Sequence, residues 1–352
     1  MGKNLNNPYL LVDEGLKILP KRTKDIVARR FGINKDEAET LESIGRDYGI
    51  TRERVRQIED SGLGRLKRDE TSMLFKPIVF RLESYLKSHG NLRREETLLN
   101  DMTSAYYQGV SKNKEIKRYG RAISLILTIS EPFNYMSETE DTHALWALDK
   151  ESFNGAREII RGLVNYFSSL NNAISEEDLM KWLISTASHI SKEAHFSYLD
   201  VAKLVEKNIF GEYGLVHWPV ISPRGVKDRA YLVLKKKGEP LHFTNVAALI
   251  NQMGLSTKTA YAQTVHNELI KDPRFILVGR GLYALAEWGY KSGTVKDVIK
   301  EVLAESNKPM TRQEIIDEVM KKRMVKINTI ILNINNSPEF QKMNDNTFVL
   351  TE

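Results

Sequence analysis

The chain contains no cysteine. That removes disulfide frameworks, thiolate zinc sites, cysteine nucleophiles and iron–sulfur clusters together, and it fits a reducing cytoplasm. Long apolar runs are missing as well. The segment Met1-Gly2-Lys3-Asn4-Leu5-Asn6-Asn7-Pro8 has no apolar core of signal-peptide length. The longest apolar stretches, such as Ile123 to Ile129, are far too short to span a bilayer. The expectation is a cytoplasmic protein with no membrane partner. Catalytic signatures are equally scarce. None of the seven histidines has a partner in His-Glu-x-x-His spacing. Gly279-Arg280-Gly281 lacks the rest of a dinucleotide fingerprint and the helix that should follow it. There is no Gly-Lys-Ser/Thr phosphate loop and no acidic metal cluster. The expectation is therefore a protein that is not an enzyme and uses no cofactor or metal.

What is present points elsewhere. With 352 residues the chain is too long for one small domain, and an apolar fraction of 41% is enough to build packed cores. Lys and Arg number 52 against 46 Asp and Glu, a net charge of +6. So small an excess says little alone, but it permits phosphate contacts where it is concentrated on one face.

The first seventy or so residues read as punctuated helices. Leu16, Ile18, Leu19, Ile26, Val27 and Phe31 are apolar at roughly helical spacing, interrupted by Pro20. Gly32 suits a helix C-cap. Thr40 is a candidate N-cap for a short helix carrying Leu41, Ile44 and Tyr48, which Gly49 ends. Thr51 then caps a second helix whose buried stripe is Val55, Ile58 and Leu66. Two short helices joined by a tight Gly turn, the second richer in Arg, make a helix-turn-helix.

From Met73 onward a unit recurs at intervals of roughly 70–80 residues. A helix meets a polar hinge, then an apolar residue, then another helix. The hinges are His89-Gly90-Asn91-Leu92, Asn171-Asn172-Ala173-Ile174, Gly238-Glu239-Pro240-Leu241 and Asn307-Lys308-Pro309-Met310. Three units close with alternating segments, Phe133 to Leu148, Arg274 to Leu285 and Phe340 to Leu350. Helices followed by a hairpin are the layout of a winged helix. The second unit, ending Gly211 to Ile221, is the weakest match. The fold expected is mainly α, an N-terminal helix-turn-helix followed by about four tandem winged-helix (α+β) modules. The expected divisions are 1–70, 74–149, 152–222, 227–288 and 293–352, with boundaries near Asp69–Phe75, Asp149–Phe153, Ser222–Asp228 and Trp288–Thr294.

Thr40 to Glu59 resembles region 4.2 of primary sigma factors, most specifically in Thr51-Arg52-Glu53-Arg54-Val55-Arg56-Gln57-Ile58-Glu59. Leu19 to Ile33 resembles region 4.1. Elementary chemistry agrees independently, because a Thr51 cap places Arg52, Glu53, Arg56 and Gln57 on the two turns that enter a major groove. Arg pairs bidentately with guanine, Gln with adenine, and Glu accepts from cytosine N4. The resemblance implies that Arg52, Glu53, Arg56 and Gln57 contact a −35 element and that Arg30 contacts phosphate. The competing reading is a solvated helix face held by i,i+4 pairs. One departure is Asp60-Ser61-Gly62-Leu63-Gly64, where two glycines at about 1 kcal/mol each predict an early-fraying recognition helix. The resemblance also implies an apolar groove for the flap-tip helix of the RNA polymerase beta subunit, to which Leu16, Leu19, Ile26, Val27 and Phe31 correspond. The same residues suit the core of a helix-turn-helix. Leu5 to Leu16 adds Tyr9, Leu10, Leu11 and Val12.

A second resemblance lies at Lys235 to Trp288. Pro240-Leu241-His242-Phe243, Thr264 to Leu269, Asp272-Pro273-Arg274-Phe275, Gly279 to Leu285 and Glu287-Trp288-Gly289 are similar to the HARE-type winged helix, shared by the RNA polymerase delta subunit and several chromatin and restriction proteins. Such a module binds DNA through helix and wing or serves as a docking platform. His242 and His266 read as packing residues. The whole implies a sequence-specific, nucleoid-associated binder of double-stranded promoter DNA, a regulator or sigma-like accessory factor working with RNA polymerase. The alternative is an interaction scaffold or architectural DNA-binding protein. No segment resembles the parts of a complete sigma factor that capture the melted −10 strand or clamp polymerase.

Overall fold

A computed structural model describes residues 7–33, 37–106, 113–188, 190–290, 293–306, 308–323, 325–343 and 345–351. Leu5, His189 and the hinge residue Asn307 lie outside the described residues. The chain divides into two compact units, Met1–Glu206 with Tyr213–Val216, and Lys207–Glu212 with His217–Glu352.

The first unit opens with α1 (Pro8–Gly15), α2 (Lys21–Arg30), α3 (Leu41–Tyr48) and α4 (Arg52–Leu66). Each start has a chemical cause. Asn7 accepts from the Tyr9 and Leu10 amides, Thr40 from Ser43 and Thr51 from Arg54, filling donors that a helix start leaves orphaned. Gly49 closes α3 in the left-handed region at φ +61°. Two winged-helix layouts follow. The first comprises α5 (Asp69–Ser88), β1 (Leu92–Arg94), α6 (Glu95–Tyr106), α7 (Asn113–Ile129), β2 (Asn134–Met136) and β3 (Leu145–Ala147). The second comprises α8 (Lys150–Leu170), β4 (Ile174–Ser175), α9 (Glu176–Thr186), α10 (Lys192–Val201), β5 (Val205–Lys207) and β6 (Glu212–Leu215).

The other unit repeats the pattern. It runs α11 (Gly225–Lys237), β7 (Leu241–His242), α12 (Phe243–Gln252), α13 (Ala262–Lys271), β8 (Phe275–Gly279) and β9 (Leu282–Leu285). Then come α14 (Val295–Ser306), β10 (Met310–Thr311), α15 (Arg312–Lys322), α16 (Ile327–Asn336), β11 (Phe340–Lys342) and β12 (Thr347–Leu350). The fold is mainly α. Each of the four small sheets has the same strand order, first–third–second: β1-β3-β2, β4-β6-β5, β7-β9-β8 and β10-β12-β11.

Three expectations change. The hinges are not loops throughout, because their apolar residues open β1, β4, β7 and β10, as in the pairing of Leu92 with Ala147 and Leu241 with Tyr283. A strand of two or three residues is too short to show alternation. The second unit is not incomplete either, since its missing strand β5 lies upstream of the segment Gly211 to Ile221. Finally, residues 69–75 are not a polar linker, because α5 begins at Asp69 and Phe75 is buried at 1% exposure.

That burial joins the N-terminal helices to the first winged layout. Leu11, Val12, Leu16, Leu19, Val27, Ala28, Ile33 and Leu66 share one core with Phe75, Ile78 and Leu82 of α5 and Ile123, Ile126 and Leu127 of α7. Gly15 permits the contact, since a Cβ there would stand 2.7 Å from Phe75 Cζ. The Arg121 guanidinium of α7 donates to the Gly32 carbonyl at 2.9 Å, and Asn7 donates to the Tyr119 hydroxyl at 3.0 Å. The second layout docks similarly on the first. Ser197 of α10 donates to the Leu92 carbonyl at 2.6 Å, and a Cβ on Gly90 would lie 2.5 Å from the Ala194 Cβ.

Candidate nucleic-acid interface

The reading head is held by a small apolar cluster of its own. Ile26 of α2, Ile44 of α3 and Val55 of α4 are fully buried together, with Leu41, Tyr48, Ile50 and Ile58 around them. A Cβ on Gly45 would stand 2.7 Å from the Ile50 carbonyl, so only glycine lets the turn fold back this tightly. Arg29 staples the head from beneath. Its guanidinium binds Glu39 at 2.6 Å and also Asp47, tying the end of α2 to both ends of α3. Those hydrogen bonds, Glu39 first, raise its already high pKa. This buried Arg29, 9% exposed, was not singled out from sequence, where it reads like its neighbour Arg30.

With Val55 turned inward, α4 presents Arg52, Glu53, Arg56 and Gln57 outward on its first two turns, all exposed. Thr51, the cap, is exposed beside them. Glu53 accepts from Arg56 Nη2 at 2.6 Å and Nε at 3.0 Å, and Asp60 accepts from Arg56 Nη1 at 2.7 Å. Arg54 donates to Gln57 Oε1 at 3.1 Å. The Arg56 bond holds the Glu53 carboxyl below its usual range, and Glu53 in turn raises Arg56. Arg30 stands apart from this face. Its Nε donates to Glu59 at 3.2 Å and its Nη1 to the Glu39 carbonyl at 2.6 Å, so it braces the third turn of α4. The structure thus gathers Thr51, Arg52, Glu53, Arg56 and Gln57 on one face and sets Arg30 at its flank.

Two expectations about this region are corrected. α4 does not fray at its glycines but runs unbroken to Leu66. Gly62 is buried where α4 crosses α2, and a Cβ would meet Thr23 Cγ2 at 2.7 Å and Val27 Cγ2 at 3.0 Å. Close packing there, with Leu66 anchored in the core, outweighs the intrinsic penalty of glycine. The apolar groove is closed as well. Leu16, Leu19, Ile26 and Val27 are buried and Phe31 is half-buried, covered by α3 and α4 on one side and by α5 and α7 on the other. Of the apolar residues near the chain start, Leu10 and Ile18 remain on the surface, at 41% and 51% exposure.

In a winged helix the third helix is the counterpart of α4. In the first layout that helix is α7, whose Ala122, Ile123, Leu125, Ile126 and Leu127 are buried. In the second it is α10, with Ala194, His195, Ser197, Tyr198 and Leu199 buried. Each is engaged by the preceding part of the chain. α13 and α16 bury only Val265 with Leu269 and Ile330 with Ile334. α16 carries no charged residue from Ile327 to Asn336, while Asn328, Leu332 and Asn335 are exposed. The wing after α13 turns at Gly281, φ +69°, against His242, whose ring stacks on Phe243 and through it on His266. These histidines pack the module, as the sequence suggests.

A capped, arginine-bearing second helix on a buried three-residue hub defines a helix-turn-helix DNA-binding protein. The family comparisons agree at two places. Residues 15–68 match Sigma-70, region 4, and residues 224–288 match the HARE-HTH family, the HTH domain of ASXL proteins and restriction endonucleases. The chain carries both domains, and its role is DNA-binding and transcription-related, with DNA as a partner. Among the described residues no helix is long and apolar enough to cross a membrane.

Proposed function

We propose that the chain is a sequence-specific transcription regulator or sigma-like accessory factor that reads a −35-type promoter element with α4. The observation that carries this reading is the exposed set Arg52, Glu53, Arg56 and Gln57 on the first two turns of a helix capped by Thr51. A recognition helix reads base edges from that end. Arg52 and Arg56 are assigned to guanine, Gln57 to adenine and Glu53 to cytosine. Thr51 fixes the helix start, and Arg30 approaches phosphate from the flank. The five sequence divisions, 1–70, 74–149, 152–222, 227–288 and 293–352, are proposed as evolutionary modules, the first two sharing a core. RNA polymerase is a proposed partner. Since the flap-type groove is closed, the exposed Leu10 and Ile18 are the apolar residues of the reader left to meet it.

A second reading is supported by the burial of α7 and α10, which favours a scaffold role for the first two winged helices. Selection of binding sites from randomised DNA, followed by polymerase co-purification, tests both. A defined motif lost on Arg56→Ala, with polymerase recovered, supports a promoter reader. Sequence-independent binding without polymerase supports the scaffold and sinks the first reading.

A further inference from the structure

Arg56 has two hydrogen-bonding edges that a base can use in bidentate fashion, Nε with Nη2 and Nη1 with Nη2. Glu53 occupies the first edge, at 3.0 and 2.6 Å. Asp60, one turn further along α4, accepts from Nη1 at 2.7 Å and so closes the second. Arg52, equally exposed on the preceding turn, has no such clamp among the described residues. Glu53 belongs to the reading face itself and can stay with Arg56 while a base is read. Asp60 cannot. Its carboxylate must leave Nη1 before the Nη1–Nη2 edge can take guanine O6 and N7.

We propose that Asp60 is a built-in mask on the reader, a residue that sets affinity by competing with DNA for Arg56. The inference rests on the assignment of α4 as the reader. It follows that Arg52 engages DNA first and that Arg56 commits only where a base or phosphate outcompetes Asp60. The mask is a surface pair, 52% and 58% exposed, so its strength is modest and falls with salt. Neutralising Asp60 also returns one uncompensated cation to the DNA face, which deepens the salt dependence by about one released counter-ion.

The test is a double-mutant cycle on the full chain, using a short duplex recovered by selection and a scrambled duplex of equal length. In low salt Asp60→Asn tightens binding to the selected duplex by about twofold to fivefold and steepens the salt dependence on both duplexes. Asp60→Ala, which favours the helix, gives the same gain, which separates the effect from helix stability. In an Arg56→Ala background the gain largely disappears. An equal gain in both backgrounds, or none in the wild-type background, overturns the mask. Arg56→Ala binding the selected duplex as well as wild type does would instead remove the reader assignment.

Discussion

Gly62 and Gly64 lie two positions apart on α4, and replacing each with alanine is expected to move stability in opposite directions. Relative to glycine, alanine in a helix interior is favoured by about 1 kcal/mol. At Gly64 nothing stands within 4 Å of the new Cβ, so that preference is realised and Gly64→Ala stabilises by roughly 0.5–1 kcal/mol. At Gly62 the same methyl meets Thr23 Cγ2 at 2.7 Å and Val27 Cγ2 at 3.0 Å. Both are β-branched side chains with stiff χ1, and Val27 is fully buried. Neither can swing away, so α4 must lift from α2, an overpacking that costs about 1–3 kcal/mol. The net result is a loss of around 1 kcal/mol. Urea unfolding of the full chain, with hydrogen exchange to localise the change to α4, reads both. Equal stabilisation by the two substitutions would refute the packing role of Gly62. A loss at Gly64 would refute its being an open helix position.

The fragment Met1–Arg68 leaves Leu11, Val12, Leu16 and Leu66 without α5 and α7. It is expected to lack a cooperative thermal transition that Met1–Leu148 shows by circular dichroism. A sharp transition in the short fragment would contradict the shared core. Arg56→Ala or Gln57→Ala should weaken binding to the preferred site by about 1–3 kcal/mol and relax base preference there, as selection experiments would record. Arg30→Ala should weaken binding to every duplex and flatten its salt dependence. Burial and the nearby Arg94 cation hold the His143 imidazole below its ordinary value. The unfolded chain therefore binds the proton more readily, and stability is lost as pH falls through the ordinary histidine range, near 6.5. Urea midpoints between about pH 5 and pH 7 should show this slope, and His143→Gln should flatten it. An unchanged slope would exclude His143 as its source.

Local signals carried much of this architecture. Thr40, Gly49 and Thr51 act through neighbours three or four residues away, so their roles as cap and turn can be read from sequence. The alternation of Phe275 to Leu285 likewise spans enough residues to announce β8 and β9. Contacts between distant positions were not legible. Nothing near Phe75 marks Gly15 as its partner, and Gly62 looks like a helix defect until Thr23 and Val27 are placed beside it. The reading face was legible as residue types on a periodic helix. The pairing of Arg56 with Asp60 was not, because an i,i+4 pair of opposite charges usually signals only a solvated surface. Arg29 and Arg30 are adjacent in sequence, and only burial separates the staple from the flank.

The docking of α7 on the N-terminal helices and of α10 on β1 gives this part of the chain a direction. Each module offers the next a half-finished surface, and each newcomer closes it with the helix that a free-standing relative would keep available. During synthesis the reader would emerge with Leu11, Leu16 and Leu66 uncovered and wait for its cover. The first winged helix would likewise leave the Leu92 carbonyl without its Ser197 donor until α10 arrives. Modules joined this way cannot be shuffled, duplicated or trimmed like beads on a string. Their order is a property of the fold, and a truncation fails at the module before the cut.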